Sequence, residues 1–157
     1  ADASSATSGT MIARQAGFVK NNGGVKGLDG SSLLRFSNIP AITQNLFVVV
    51  IHRNHLGLIT SAPVLLSNGN YSWDFSSSAG QAYNSGQVQI NPSLWGMYGG
   101  DANGDGTVNS ADKTTWTNNA GTSGYIPSDF NLDSQIDNSD KNDIWINNEG
   151  VSTEIPN

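Results

Sequence analysis

Asp101, Asn103, Asp105 and Asp112 stand at positions 1, 3, 5 and 12 of a twelve-residue stretch. Asp129, Asn131, Asp133 and Asp140 stand at the same positions of a second one. All eight carry a side-chain oxygen. A hard divalent cation such as calcium takes six to eight oxygen ligands, and a loop wrapped round it supplies them from alternate residues. Thr107 and Gln135, at position 7, would give a backbone carbonyl, so their side-chain type is free to vary. Asn109 and Asp137, at position 9, would act through a water. Position 6 is small in both, Gly106 and Ser134, and a glycine there permits a sharp turn. Val108 and Ile136, at position 8, are expected to tie the two loops together by a small apolar contact. The chemistry implied is two calcium ions, one per loop.

A lone Asp-x-Asn-x-Asp-Gly reads equally well as a surface turn, because Asp, Asn and Gly each favour turns for local reasons. Recurrence separates the two readings. The loops start 28 residues apart and related text follows each, Lys113 to Trp116 and Lys141 to Trp145. The tryptophans are 29 apart, so the second copy holds one extra residue between loop and Trp. Charge points the same way. Residues 1–100 carry a net +2, whereas residues 101–157 carry −8 within a total of −6. Acids converging on one loop repel in a partly buried site unless a cation joins them. An acidic tail would be a run of like charge; these acids are spaced by glycine and apolar residues.

Two short helices are expected after the loops, over about 110–119 and 138–148, with Thr114, Thr115, Thr117 and paired asparagines as poor helix formers. The rest favours β-structure: charged residues are 13%, and Gly, Ser, Asn and Thr abound. A strand lies within residues 11–20, and Asn21 to Gly24 is a turn signal. Residues 46–53 are apolar at nearly every position, as in a strand buried on both faces. Val64 to Leu66, Tyr71 to Phe75 and Gln87 to Ile90 follow, separated by polar turns. Short strands at such spacing suggest a sandwich. The fold expected is mainly β with a small α part. A β-sandwich over residues 1–98 is followed, over 99–157, by a two-loop, two-short-helix unit packed on it. No Pro/Ser-rich linker separates Ser93–Tyr98 from the first loop, so Trp95, Tyr98, Trp116 and Trp145 are expected to close a buried seam.

Other chemistry is sparse. His52 and His55 are the only histidines, and on a continuing strand they would point to opposite faces, which disfavours a shared metal. Cysteine is absent and no Gly-x-Ser-x-Gly elbow occurs, so no nucleophile set is present and no enzyme is expected. Tyr71, Trp73, Trp95 and Tyr98 suit a sugar platform, though burial preference favours core roles. The acidic balance argues against nucleic acid, and no apolar run reaches a membrane span. Ala1-Asp-Ala-Ser-Ser reads like a cut edge with no visible signal peptide. Calcium sites of moderate strength suit the outside of the cell.

The repeat resembles type I dockerin over about residues 99–150, on Asp101, Asn103, Asp105, Asp112 and Asp129, Asn131, Asp133, Asp140. Position 12 is Asp in both, as in dockerins, where an EF-hand has Glu. The β part is similar to Ig-like or prealbumin-like domains of bacterial surface proteins. The whole chain resembles C-terminal regions of Bacteroidetes surface proteins, in which a strand like Ile51-His52-Arg53-Asn54-His55-Leu56-Gly57 runs into such a repeat. The departures are Ser134 for glycine, short helices, and Ser110-Ala111 and Asn138-Ser139 at the dockerin recognition positions. The resemblance implies a non-catalytic calcium-binding unit of an exported, cell-surface, multidomain protein, serving adhesion, display or assembly beside its upstream domains. Two alternatives stay open. One is a true dockerin that binds a cohesin and brings a polysaccharide-degrading enzyme into a complex; the other is a carbohydrate-binding β-domain.

Overall fold

The computed structural model describes residues 2–20 and 24–157. Residues 21–23 of the expected turn, and Ala1, lie outside the described residues. Small antiparallel strand pairs with few helices make up the chain: β1 (Phe18–Val19) with β2 (Val25–Lys26), β3 (Val49–Val50) with β4 (Leu58–Ile59), β5 (Leu66–Ser67) with β6 (Asn70–Tyr71), and β7 (Val88–Asn91) with β8 (Leu94–Gly96). Among the described residues these pairs are not joined into larger sheets. The β5–β6 hairpin turns on Asn68 and Gly69, both at positive φ (49° and 75°). An Asn-Gly pair in that conformation matches the right-handed twist of its strands.

Residues 46–53 form less strand than their composition promises. Only Val49 and Val50 pair in register, with Ile59 and Leu58. Further bonds run from the Thr60 N–H to the Val48 carbonyl and from the Val64 N–H to the Leu46 carbonyl. The run is also not buried on both faces: Val49 is 41% exposed and Ile51 63%. Burial falls instead on the returning segment, where Leu56, Leu58, Ile59 and Thr60 are all inside. An apolar run is covered only where another layer lies over it, and among the described residues of 11–40 Met11, Phe18, Val19, Leu33 and Phe36 are themselves exposed.

Both helices appear where the sequence placed them. α1 spans Ser110–Asn119. Asn109 caps it, accepting from the Ala111 N–H, while the Asp112 carboxylate accepts from the Asn109 N–H. The second rod is helical at 138–139, widens into a π-helical turn at Asp140–Trp145 and ends as α2, Ile146–Asn148. A π turn holds one more residue than an α turn. The extra residue of the second repeat is taken up there, and Trp145 reaches the place that corresponds to Trp116.

The main core cluster comprises Leu56, Ala102, Val108, Phe130 and Trp145, with Tyr98, Trp116, Ile144 and Val151 at its margin. Of the four aromatics expected to close a seam, only Trp145 is buried; Tyr98 and Trp116 are half-buried at the margin. Trp95 sits in β8, its N–H bonded to the Ser76 carbonyl, outside the cluster. Leu56 is the member contributed by the β part.

Candidate metal centre

The two loops share one internal plan. Positions 1, 2, 8 and 12 are buried in both, while Asp105 and Asp133 at position 5 are exposed. Positions 4 and 6 take positive φ in both: Gly104 at 72° and Gly106 at 86°, Leu132 at 65° and Ser134 at 70°. The second loop thus adopts the glycine conformation without the glycines, at a cost of about 1–2 kcal/mol per residue.

Position 1 carries the most unusual carboxylates. Asp101 Oδ1 accepts from the N–H groups of Gly104 (2.8 Å) and Asp105 (3.1 Å), and Oδ2 from Gly106 (3.1 Å). Burial raises its pKa above the ordinary value, the nearby Asp112 and Asp105 charges add to this, and the Gly106 and Gly104 amides oppose it. Asp129 is 2% exposed, and its Oδ2 accepts from the Ser134 N–H at 3.1 Å. Its Oδ1 is buried with no hydrogen-bond partner. A buried carboxylate oxygen without a donor costs free energy unless a cation or donor meets it. That atom fits a cation.

Position 12 closes each loop. Asp112 Oδ1 accepts from the Asn103 N–H (3.2 Å) and Oδ2 from the Asn109 N–H (2.8 Å). Asp140 Oδ1 accepts from Phe130 (2.7 Å) and Asn131 (3.1 Å), and Oδ2 from Asp137 (2.9 Å). The exposed acids are knitted to position 3. Asn103 Nδ2 donates to Asp105 Oδ2 at 2.8 Å, and Asn131 Nδ2 donates to Asp133 Oδ2 at 3.0 Å. At position 7 the Thr107 and Gln135 amides donate to Asp105 Oδ1 and Asp133 Oδ1. At position 9, Asn109 Nδ2 donates to the Thr107 carbonyl, and Asp137 Oδ1 accepts from the Ser139 N–H. Among the described residues no three His, Cys, Asp or Glu side chains gather closely enough to hold a metal by themselves. Each loop's expected donor set holds three carboxylates, at positions 1, 5 and 12, beside the amide at position 3, and these carboxylates are not drawn together in this geometry.

The loops are joined reciprocally, and position 8 takes part through its backbone. Val108 and Ile136 are each buried, yet only Val108 belongs to the core cluster. Their backbones pair with the chain just beyond the helix of the other repeat. The Val108 N–H reaches the Val151 carbonyl and the Gly150 N–H the Val108 carbonyl; the Ile136 N–H reaches Thr122 and the Gly121 N–H reaches Ile136. A second exchange between repeats runs through the tryptophans. Trp116 Nε1 donates to the Asp137 carbonyl at 3.0 Å, and Trp145 Nε1 donates to the Asn109 carbonyl at 3.1 Å. Lys141 lies over the Trp116 ring and Lys113 over the Trp145 ring, at 4.9 and 5.4 Å.

Arg53 and Asn54, which loop spacing alone does not find, touch position 1 of both loops. The Asn54 carbonyl accepts from the N–H groups of Gly100 and Asp101, and Asn54 Nδ2 donates to the Asp129 carbonyl at 2.5 Å. Arg53 Nη2 lies 3.5 Å from Asp129 Oδ2, and its guanidinium stacks 3.7 Å from the Tyr125 ring centre. The clue in the sequence is four polar side chains in a row, His52 to His55, where the apolar run stops.

The histidines correct their own expectation. The paired strand ends at Val50, the chain turns, and the two rings meet edge to face, with Nδ1 atoms 3.1 Å apart. They line a recess of about 230 Å³ together with Asp101, Asp105, Thr153 and Ile155. Asn54 is oriented by the Asp129 carbonyl, so its Oδ1 faces His55 Nδ1 at 2.8 Å and assigns the proton to that nitrogen. The two Nδ1 atoms therefore do not offer two lone pairs to one cation. Burial first, then the His52 and Arg53 charges, lower the His55 pKa from 6.5 to about 4. The unfolded chain takes up this proton at higher pH than the folded one. The stability it gives is full above pH 6.5 and is lost as pH falls toward 4. The depth of this window is on the order of 3 kcal/mol. Urea midpoints across the window should fall with pH, and His55→Gln should flatten that slope; an unchanged slope would assign it to other groups.

No family model matches the chain, and neither the curated proteins nor the solved structures contain a match to it.

Proposed function

We propose that residues 99–157 bind two calcium ions and that the chain is a non-catalytic unit of an exported, cell-surface, multidomain protein, serving adhesion, display or assembly. The observation that carries the metal reading is Asp129 Oδ1, a buried carboxylate oxygen with no partner at position 1 of a loop whose other positions match a calcium ligand set. Asp101, Asn103, Asp105, Asp112 and the Thr107 carbonyl would hold one ion. Asp129, Asn131, Asp133, Asp140 and the Gln135 carbonyl would hold the other, with Asn109 and Asp137 acting through water. Calcium supplies charge that offsets mutual repulsion of the acids. The Asn103–Asp105 and Asn131–Asp133 bonds would give way to it, since they use the same oxygens. The β part is read as a sandwich-type domain, against which this unit rests through Leu56, Asn54 and the Thr153 hydroxyl bond to the Gly57 carbonyl.

Calorimetry should return two calcium sites, both lost in chelator. Heat from no site would leave the loops as Asx-turn networks and end the proposal. The runner-up, a dockerin-type unit that recruits a cohesin-like partner, needs the repeat to move independently of residues 11–98. NMR relaxation decides between them: one common correlation time supports the assembled unit, two distinct times support the docking unit. The bonds from Asn54 to both loops favour one. A sugar-binding β part is the third reading, and the half-buried Trp73 and Trp95 give it only weak support.

A further inference from the structure

Both loops carry buried acids at positions 1 and 12, yet only the second has a cation already at hand. Arg53–Asp129 is the ion pair that the described residues contain, and no lysine or arginine forms one with the first loop. Placing Arg53 there has a cost. Its Nε is buried without a hydrogen-bond partner, and its guanidinium is sandwiched between Asp129 and the Tyr125 ring. A buried donor left unmet is tolerated where the charge is needed.

We propose that Arg53 is a built-in counter-charge for the second loop, which partly replaces the cation there and makes the two calcium sites unequal, the first loop filling at lower calcium than the second. This rests on the calcium reading given above. The sign follows from what Arg53 adds and what it does not. Aim is already secured without it: the Ser134 N–H holds Asp129 Oδ2, and Asn54 Nδ2 holds the Asp129 carbonyl. Neither bond depends on the guanidinium. What Arg53 contributes is positive charge 3.5 Å from the carboxylate a calcium ion would use. Two cations on one carboxylate repel, so calcium binding at the second loop works against Arg53, whereas at the first loop it meets no such opponent.

Asn54 positions both loops. Its side chain grips position 1 of the second loop and its carbonyl grips the amides at the start of the first. One buried residue thus fixes position 1 of both loops without using the Arg53 charge.

The test is calcium titration of the whole chain, read by calorimetry and by terbium luminescence. Trp145 lies against the first loop and Trp116 against the second, so Trp145→Phe and Trp116→Phe backgrounds report each loop separately. In the parent chain the first loop should fill before the second. Arg53→Gln should tighten the second site by about tenfold or more and leave the first within about twofold, as expected for removing a neighbouring like charge. Arg53→Lys, which keeps the charge but not the stacking fork, should restore the weaker second site. Two sites in the parent with Arg53→Gln unchanged or weaker at the second loop would overturn the inference while leaving the calcium reading intact. Equal tightening at both loops would also overturn it. No calcium binding by the parent would overturn both together. Should Arg53→Gln unfold, the inference stands or falls on Arg53→Lys and on the order of filling in the parent, where simultaneous filling counts against it.

Discussion

Asp140→Ala should unfold the C-terminal part in chelator as well as in calcium. The carboxylate is fully buried and accepts from three backbone amides, those of Phe130, Asn131 and Asp137. Truncation leaves all three without an acceptor inside the protein, and each buried unsatisfied group costs about 1–3 kcal/mol. A loss of about 3–6 kcal/mol is expected even with no metal present, a large share of the stability of a domain this size. Asp112→Ala removes two such bonds and should cost less, about 2–4 kcal/mol. Calcium adds a further loss in both variants if these oxygens also ligate. From loop spacing alone, these substitutions are expected to matter only when calcium is bound. The hydrogen bonds change that: position 12 fastens the start of each loop to the start of its helix before any ion arrives. Urea denaturation of the three proteins, with calcium and with chelator, decides it. Variants that match the parent in chelator would return position 12 to a purely metal-binding role.

Trp145→Ala should be the most damaging single truncation among the aromatics, by about 3–5 kcal/mol, while Trp116→Ala costs roughly half that. Both rings make the same bond to the opposite loop, so the indole N–H does not distinguish them. Burial does. Trp145 is 4% exposed at the centre of the cluster with Leu56, Val108 and Phe130, and Trp116 lies at its margin. Removing a ring from a packed cluster adds a cavity to the lost transfer energy, whereas a marginal ring leaves a dent that water fills. Melting curves of the two variants should separate clearly, and equal losses would show that the shared bond outweighs the packing. The π turn at Asp140–Trp145 belongs to the same argument, since it brings a tryptophan displaced by one residue back to the position it needs.

The loops were legible from residue types because their order is local. Asp, Asn and glycine at fixed spacing satisfy one another's backbone groups within a few residues, as Asp105 to Asn103 and Thr107 to Asp105 illustrate. The helix over 110–119 was equally legible, since its cap, Asn109, and the acid three residues on are both present in the text. Residues 46–53 were read less well. Hydrophobicity predicts that a segment wants cover, but not whether the chain supplies it, and Val49 and Ile51 remain partly in water. At position 8 the tie between the repeats was legible, but not the backbone partners that make it. Val108 and Ile136 bond to the other repeat at Gly150–Val151 and Gly121–Thr122, and such backbone partners are chosen by tertiary proximity.

By itself, the amino-acid sequence determined the paired oxygen-rich loops, the two short helices behind them, the mainly β character with a small α part, and the acidity concentrated in the last third of the chain. All of these follow from preferences that act over a turn or two, or from simple charge counting. Only the tertiary structure decided which oxygens are already occupied by amides and which one, Asp129 Oδ1, is left without a partner. It alone brought Arg53 and Asn54 across some 75 residues to the second loop, and set His52 against His55 where a continuing strand would have parted them. Those outcomes depend on where distant backbone segments come to rest, and burial then makes each unpaired charge and unmet bond matter far more than it does in water.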